Sequence, residues 1–243
     1  MNGDMLKWEH CDRRIIGAIR FVDAATDLQI RELLQVEAPK AKFIRNLSGY
    51  YVIVQAPGFE TYSRSFETAP IVAPQDLTIT IQDNLGQYLT QQQTIRIPPN
   101  DPFQPLEVRL FPAPTAKLAA GWAVVRVIVT KTGTDRGLAG AYVRVLRASD
   151  SRILGTGLSD QRGEAVVAVV RDIPAITWKE VDGRLVMTSE IAVRVEAFFD
   201  AAASPIPNPV QLENRLSSLP TTSLDLMIAA SRSHVARLAI DFP

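Results

Sequence analysis

Apolar and polar residues alternate one for one through several short stretches of this chain. In Asp76-Leu77-Thr78-Ile79-Thr80-Ile81 the aliphatic side chains fall on one side and the threonines on the other. Ile95/Ile97 and Leu106/Val108/Leu110 repeat the pattern, and residues 15–21 follow it less cleanly. Successive side chains of a strand point to opposite faces, so each stretch reads as a strand with one buried face. Tyr50-Tyr51-Val52-Ile53-Val54 is apolar throughout and rich in β-formers, which suits a central strand. Turn signals lie between the runs: Leu47-Ser48-Gly49, Ala56-Pro57-Gly58 and Asp83-Asn84-Leu85-Gly86. Short strands with turns at this spacing predict an all-β chain of sandwich type.

The alternation stops at Phe111-Pro112-Ala113-Pro114-Thr115, where two prolines cannot continue a strand ladder and favour an extended spacer. It restarts at Trp122 and continues through residues 122–130, 141–146, 153–158, 164–170 and 191–199, then 224–228 and 235–240. Val181-Asp182-Gly183-Arg184 carries the Asp-Gly pair of a tight hairpin. Residues 201–209 read as a Pro-rich loop and residues 209–218 as a short helix. The predicted organisation is an arm over residues 1–14, a sandwich over 15–112, a linker over 113–121 and a second sandwich over 122–243. A length of 243 residues accommodates two such units. Residues 27–38 read either as a helix capped by Thr26 or Asp27, with Ile30, Leu33 and Leu34 on one face, or as a loop entering a strand at Leu33. The β surroundings favour the strand.

The halves look alike. Ser48-Gly49 leads into the strand at 50–54, and Asp160-Gln161-Arg162-Gly163 leads into the strand at 165–170. The two glycines are 114 residues apart (163 − 49), the length of an ordinary domain. Glycine there supplies the left-handed backbone angle of a tight turn.

The second half resembles the carboxypeptidase regulatory-like, or transthyretin-like, β-sandwich family. The residues are Val125–Val129, Gly137-Leu138-Ala139-Gly140-Ala141-Tyr142-Val143-Arg144-Val145, and Ser159-Asp160-Gln161-Arg162-Gly163, with Ser159 where threonine is usual. The likeness covers about 80 residues, and the first half follows it more loosely through residues 33–38 and 48–54. It implies two tandem Ig-like/transthyretin-like sandwich domains with at most one or two short helices, acting as spacers and interaction surfaces. Gly49-Tyr50-Tyr51-Val52, Ala56-Pro57-Gly58-Phe59, Gly86-Gln87-Tyr88-Leu89 and Thr94-Ile95-Arg96-Ile97-Pro98 together resemble small β-sandwich components of phage-tail-like contractile injection systems.

Composition narrows the chemistry. Twenty-six Lys+Arg balance 26 Asp+Glu, which argues against a nucleic-acid partner. One cysteine and two histidines leave few metal or acid–base constellations. His10-Cys11-Asp12 lacks the paired spacing of a zinc site and reads as a polar arm. Ser231, Ser233 and His234 suggest a hydrolase, but adjacent side chains diverge and no nucleophile elbow is present, so a polar turn is expected. Residues 160–164 lack the alternating acids of a calcium loop. Gly133-Thr134-Asp135-Arg136-Gly137 lacks the Lys-Ser/Thr ending of a phosphate loop. Gln91-Gln92-Gln93 reads as an exposed approach to the strand at 94–97. Twenty of the 26 basic residues are arginine, a residue enriched at interfaces.

The expectation is therefore a non-catalytic subunit without cofactor, metal or small-molecule substrate, whose partners are other protein subunits. The start of the chain lacks the apolar run of a signal peptide, and no stretch approaches the roughly 18 apolar residues of a membrane helix, so a cytoplasmic protein is expected. Met5, Leu6 and Trp8 are the candidate interface residues, apolar groups on an arm with no period of its own. The alternative is a secreted or surface binding module of adhesin or carbohydrate-binding type.

Overall fold

The computed structural model describes residues 14–62, 65, 70–101, 103–173, 177–181, 184–188 and 190–243, with 177–181 and 184–188 described by their backbone. The chain is mostly β. In the first half, β1 (Gly17–Asp23), β3 (Lys42–Arg45), β4 (Tyr51–Gln55) and β7 (Leu106–Leu110) form one sheet in the order β3-β4-β1-β7. Facing it are β2 (Gln35–Glu37), β5 (Gln75–Gln82) and β6 (Gln91–Ile97), in the order β2-β5-β6. The alternating aliphatics meet between them. Ile19, Phe21, Ile53, Val108 and Leu110 come from one sheet and Ile79, Ile81 and Ile97 from the other, all fully buried.

The second half repeats the plan. β8 (Ala123–Lys131), β11 (Glu164–Val169) and β16 (Ser233–Ile240) pair in the order β11-β8-β16. β9 (Tyr142–Arg147), β10 (Ile153–Leu158), β14 (Glu190–Phe198) and β15 (Thr221–Ala229) pair in the order β10-β9-β14-β15. Valines dominate the core between them, among them Val125, Val127, Val143, Val167, Val193 and Val195. A separate hairpin joins β12 (Thr177–Val181) to β13 (Arg184–Thr188) with Val181 opposite Arg184. The Asp-Gly pair predicted to turn it lies outside the described residues. The helix α1 (Pro209–Glu213) begins with Asn208 accepting from the Gln211 N–H, and a 3-10 turn follows at Leu216–Ser218.

The likeness of the halves extends to register. Gly17–Ile53, Ala18–Val52 and Ile19–Tyr51 recur as Val125–Val167, Arg126–Val166 and Val127–Ala165. The parallel pairs Ile19–Leu106 and Asp23–Leu110 recur as Val127–Ala236 and Lys131–Ile240. The turns before β4 and β11 share their hydrogen bonds. Asn46 N–H donates to Tyr50 O, Gly49 N–H to Asn46 O, and Tyr50 N–H to the Asn46 side chain. Asp160, Gly163 and Glu164 make the same three bonds 114 residues on (160 − 46, 163 − 49). One strand departs from the repeat. β3 lies beside β4, whereas its counterpart β10 keeps only the Ser159–Ala165 bridge to β11 and crosses to pair with β9.

Two local expectations are corrected. Residues 111–116, expected as an extended spacer, are packed along their length. Phe111, Ala113 and Ala116 are buried, and Pro112 bridges Tyr88. Residues 91–93 belong to β6, and Gln91 is fully buried. Its amide donates to Arg109 O and accepts from Phe111 N–H, so a polar side chain fastens β6 to the end of β7. Residues 27–38 form a loop entering the short strand β2, as the β surroundings favour.

Phe111 opens a third apolar cluster with Tyr142, Leu158, Phe198, Leu212 and Leu219, against which Ala24 and Leu89 pack. The halves meet here, with the Phe111 ring edge-on to Tyr142 at a centroid distance of 6.2 Å, within the roughly 4.5–7 Å of such pairs. Polar contacts frame the cluster: Gln92 N–H donates to Pro207 O, Arg126 to Pro114 O and Arg171 to Thr26 O. Phe111→Ala removes a fully enclosed ring and is expected to cost about 3–5 kcal/mol. Urea unfolding of this variant is expected to separate into two steps as the halves uncouple; one unshifted transition excludes that role.

Candidate interaction surface

The loops at one end of the first half build the feature that stands out chemically. Asp23 ends β1 and its carboxylate accepts from the backbone N–H groups of Ala25 and Thr26 and from the Thr26 hydroxyl. The chain then turns back along β1, with Ile30 N–H donating to Phe21 O. Ile30 and Leu34 point into the core. Tyr51 fixes Leu34 by both backbone groups, its hydroxyl accepting from Leu34 N–H at 2.7 Å and donating to Leu34 O at 2.9 Å. Burial raises the Tyr51 pKa, and the Leu34 contact and the nearby Arg45 charge oppose that rise.

With Ile30 and Leu34 anchored inward, Leu28 and Leu33 are left 67% and 68% exposed. Leu47, at the tip of the β3–β4 turn, is fully exposed. The two loops are tied together. Gln29 donates to Ser48 O at 2.9 Å, and the Arg45 guanidinium donates to Arg31 O at 2.5 Å. Gly49 holds the left-handed angle of the turn, and a Cβ there would lie 3.1 Å from the Gln29 amide nitrogen. Between the loops is a concavity of about 470 Å³ lined by Gln29, Arg31, Arg45, Leu47, Ser48 and Tyr50. Neither Arg31 nor Arg45 has a carboxylate partner among the described residues, whereas eleven other arginines do.

Two further hollows lie near the junction. One, of about 440 Å³, separates the outer face of β5 and β6 from the segment after β14, with Thr78, Gln92, Thr94, Asn208 and the Asp200–Arg215 ion pair on its walls. The other, of about 270 Å³, is lined by Asp23, Glu32, Tyr88, Lys117 and Trp122. Its acids are already engaged: Asp23 also accepts from the Tyr88 hydroxyl at 3.0 Å, and Glu32 accepts from Arg31 N–H.

The candidates from the sequence fall as follows. Met5, Leu6 and Trp8 lie outside the described residues, as do His10, Cys11 and Asp12. His234 Nε2 accepts from Ala229 N–H at 3.1 Å and so closes the β15–β16 turn, in which Ser231 takes a positive φ of 61°. Asp160 is engaged by the N–H groups of Arg162 and Glu164 and by the Arg162 guanidinium. Ser159 donates to Leu138 O and accepts from Ala141 N–H, binding the residues of the family-like motif to each other. Gly137 allows backbone to meet backbone, since a Cβ there would lie 2.0 Å from Arg162 O. No group of three His, Cys, Asp or Glu side chains suited to a metal occurs among the described residues, nor any helix long and apolar enough to cross a membrane. Arg31 was hidden by the ambiguity over residues 27–38, and Arg45 and Leu47 read only as the approach to a turn, since nothing local shows that the two loops lie side by side.

No family model, curated protein or solved structure matches this chain.

The phenols of Tyr88 and Tyr142 sit at the junction, and both have pKa values well above the ordinary 10.0. Burial is the main cause, reinforced by the hydrogen bonds to Asp23 and Glu213. The folded chain therefore keeps protons that the unfolded chain releases above pH 10. The stabilisation is fully present below that pH and is lost as the pH rises beyond it. Denaturation between pH 8 and about pH 11 is expected to show this decline, and the double variant Tyr88→Phe/Tyr142→Phe a flatter profile.

Proposed function

We propose that this chain is a non-catalytic structural subunit of a multi-protein assembly, built from two tandem Ig-like/transthyretin-like β-sandwich domains. The observation that carries the reading is the set of outward leucines, Leu28 and Leu33 on the loop of Arg31 and Leu47 on the turn after Arg45, where neither arginine has a carboxylate partner among the described residues. Exposed apolar side chains grouped with arginine are the composition of a contact surface. The engagement of His234, Ser159 and Asp160 in turns supports a non-catalytic role. β3 and β16 end their sheets and offer open edges for strand addition. The sequence resemblance to components of phage-tail-like contractile particles names the kind of assembly, a baseplate- or cap-associated position in a particle built in the cytoplasm.

The alternative, an adhesin-like or carbohydrate-binding module, draws on the hydroxyl and amide groups around the hollow between Thr78, Thr94 and Asn208. That hollow has no aromatic platform on its described walls, which weakens the case for a sugar.

A tagged chain expressed in its native cells is expected to sediment with a large particle. Leu47→Asp is expected to remain folded and to enter the particle about ten- to a hundredfold less, since burying one leucine is worth about 1.5–3 kcal/mol. A wild-type chain that sediments only as free protein while binding immobilised glycans transfers the case to the alternative.

A further inference from the structure

We propose that the concavity between Arg31 and Arg45 receives an acidic, leucine- or isoleucine-bearing segment of a neighbouring protein chain. This rests on the docking reading above and names the chemistry of the partner. Arg31 and Arg45 border one hollow without a carboxylate partner among the described residues, while most arginines elsewhere are paired. The Arg45 Nε is buried and has no hydrogen-bond partner among the described residues, so this guanidinium is only partly satisfied within the chain. A guanidinium presents its donors in a planar fork that matches a carboxylate.

The site is also preorganised. Arg45 is already held by Arg31 O, and Gln29 holds Ser48 O, so both loops and one of the two guanidiniums are positioned before a partner arrives. Less conformational freedom is then lost on binding. The apolar surroundings favour a peptide over a free anion. Leu47 lines the same hollow, and Leu28 and Leu33 are exposed on the loop that carries Arg31. Phosphate leaves those side chains in water, whereas a segment with carboxylates flanked by aliphatic groups covers both kinds of surface. A nucleic acid needs a broader basic field than a chain of zero net charge supplies.

The test is a displayed random-peptide library panned on the purified full chain. The expected winners combine Asp or Glu with Leu, Ile or Phe, and a synthetic copy of a winner should bind the Arg31→Ala and Arg45→Ala proteins at least tenfold more weakly. Arg31 is exposed, so Arg31→Glu should fold normally, which a thermal melt checks, and panning on it should shift selection towards Lys and Arg. Winners without acids, or winners that bind Arg31→Glu unchanged, overturn the proposal, as does the absence of any enrichment. Inorganic phosphate and phosphatidylserine vesicles form separate arms. Saturable binding of either that Arg31→Glu abolishes, without an acidic peptide signature, also overturns it in favour of an anion or membrane site. Sedimentation distinguishes the two levels. Failed peptide selection with wild-type particle incorporation intact removes this inference alone, whereas wild-type protein absent from particles removes the subunit reading.

Discussion

In each half the first strand lies parallel to the last, β1 beside β7 and β8 beside β16. Much of the architecture follows from that pairing. Parallel neighbours cannot be joined by a hairpin, so the intervening chain must leave the sheet, build the opposite one and return. The half also ends at the opposite end from where it began. β7 finishes beside the end of β1, with Ala24 N–H donating to Leu110 O, and the crossing segment emerges among the loops after β1 and β5. The second half is thereby delivered to the loop end of the first. Phe111 is the residue at which the chain turns out of one core and into the shared cluster. The hollow bordered by Arg31 and Arg45 occupies the same end, with its loops tied by Gln29 and Ser48, so the proposed contact surface lies beside the junction.

The repetition of register explains why the halves diverge where they do. The turn of Asn46 and Gly49 and the turn of Asp160 and Gly163 have identical hydrogen bonds but different surroundings. In the second half Gly163 and Gly137 touch through their backbones, which leaves no room for side chains, and Ser159 seals the contact. In the first half Gly49 faces the Gln29 amide and Arg45 instead, leaving an open hollow. The strand before each turn follows suit. β10 moves to the opposite sheet, where Gly155 and Gly157 let it cross close to the backbone of β11, while β3, without glycine, stays beside β4. The same turn is a closed structural knot in one place and part of an accessible loop pair in the other.

Alternation made the strands legible because a half-buried strand imposes period two on its own residues. Leu77, Ile79 and Ile81 face inward as that rule requires. Gly49 and Gly163 were legible for a similar reason, since each needs a backbone angle that few other residues adopt. Burial of residues 111–116 was not legible. Proline and alanine suit a loop by composition, and only the arrival of the second half covers them. Gln91 was hidden likewise, because its burial depends on the free backbone groups of Arg109 and Phe111 on another strand. The contact surface needed both loops at once: Leu33 becomes an outward residue only when Tyr51, seventeen residues on, fixes Leu34.

The arginine excess changes meaning in the structure. Arg20 and Glu107, Arg96 and Asp76, Arg144 and Glu196, and Arg194 and Asp225 are each directly opposite one another on paired strands, and each forms an ion pair. Most of these side chains are well exposed, so each pair contributes only about 0–1 kcal/mol. Their larger effect is on register, because slipping a strand by one residue breaks the pairing and turns its aliphatic face to water. Part of the arginine content therefore serves outward-facing cross-strand pairing. The two arginines of the proposed surface fall outside that pattern. Arg31 lies on a loop with no strand opposite it, and Arg45 sits opposite Tyr51, whose hydroxyl is already bonded to Leu34. The strand pairing that supplies carboxylates to arginines elsewhere does not supply them here among the described residues, and this is the charge that the proposed acidic segment would neutralise.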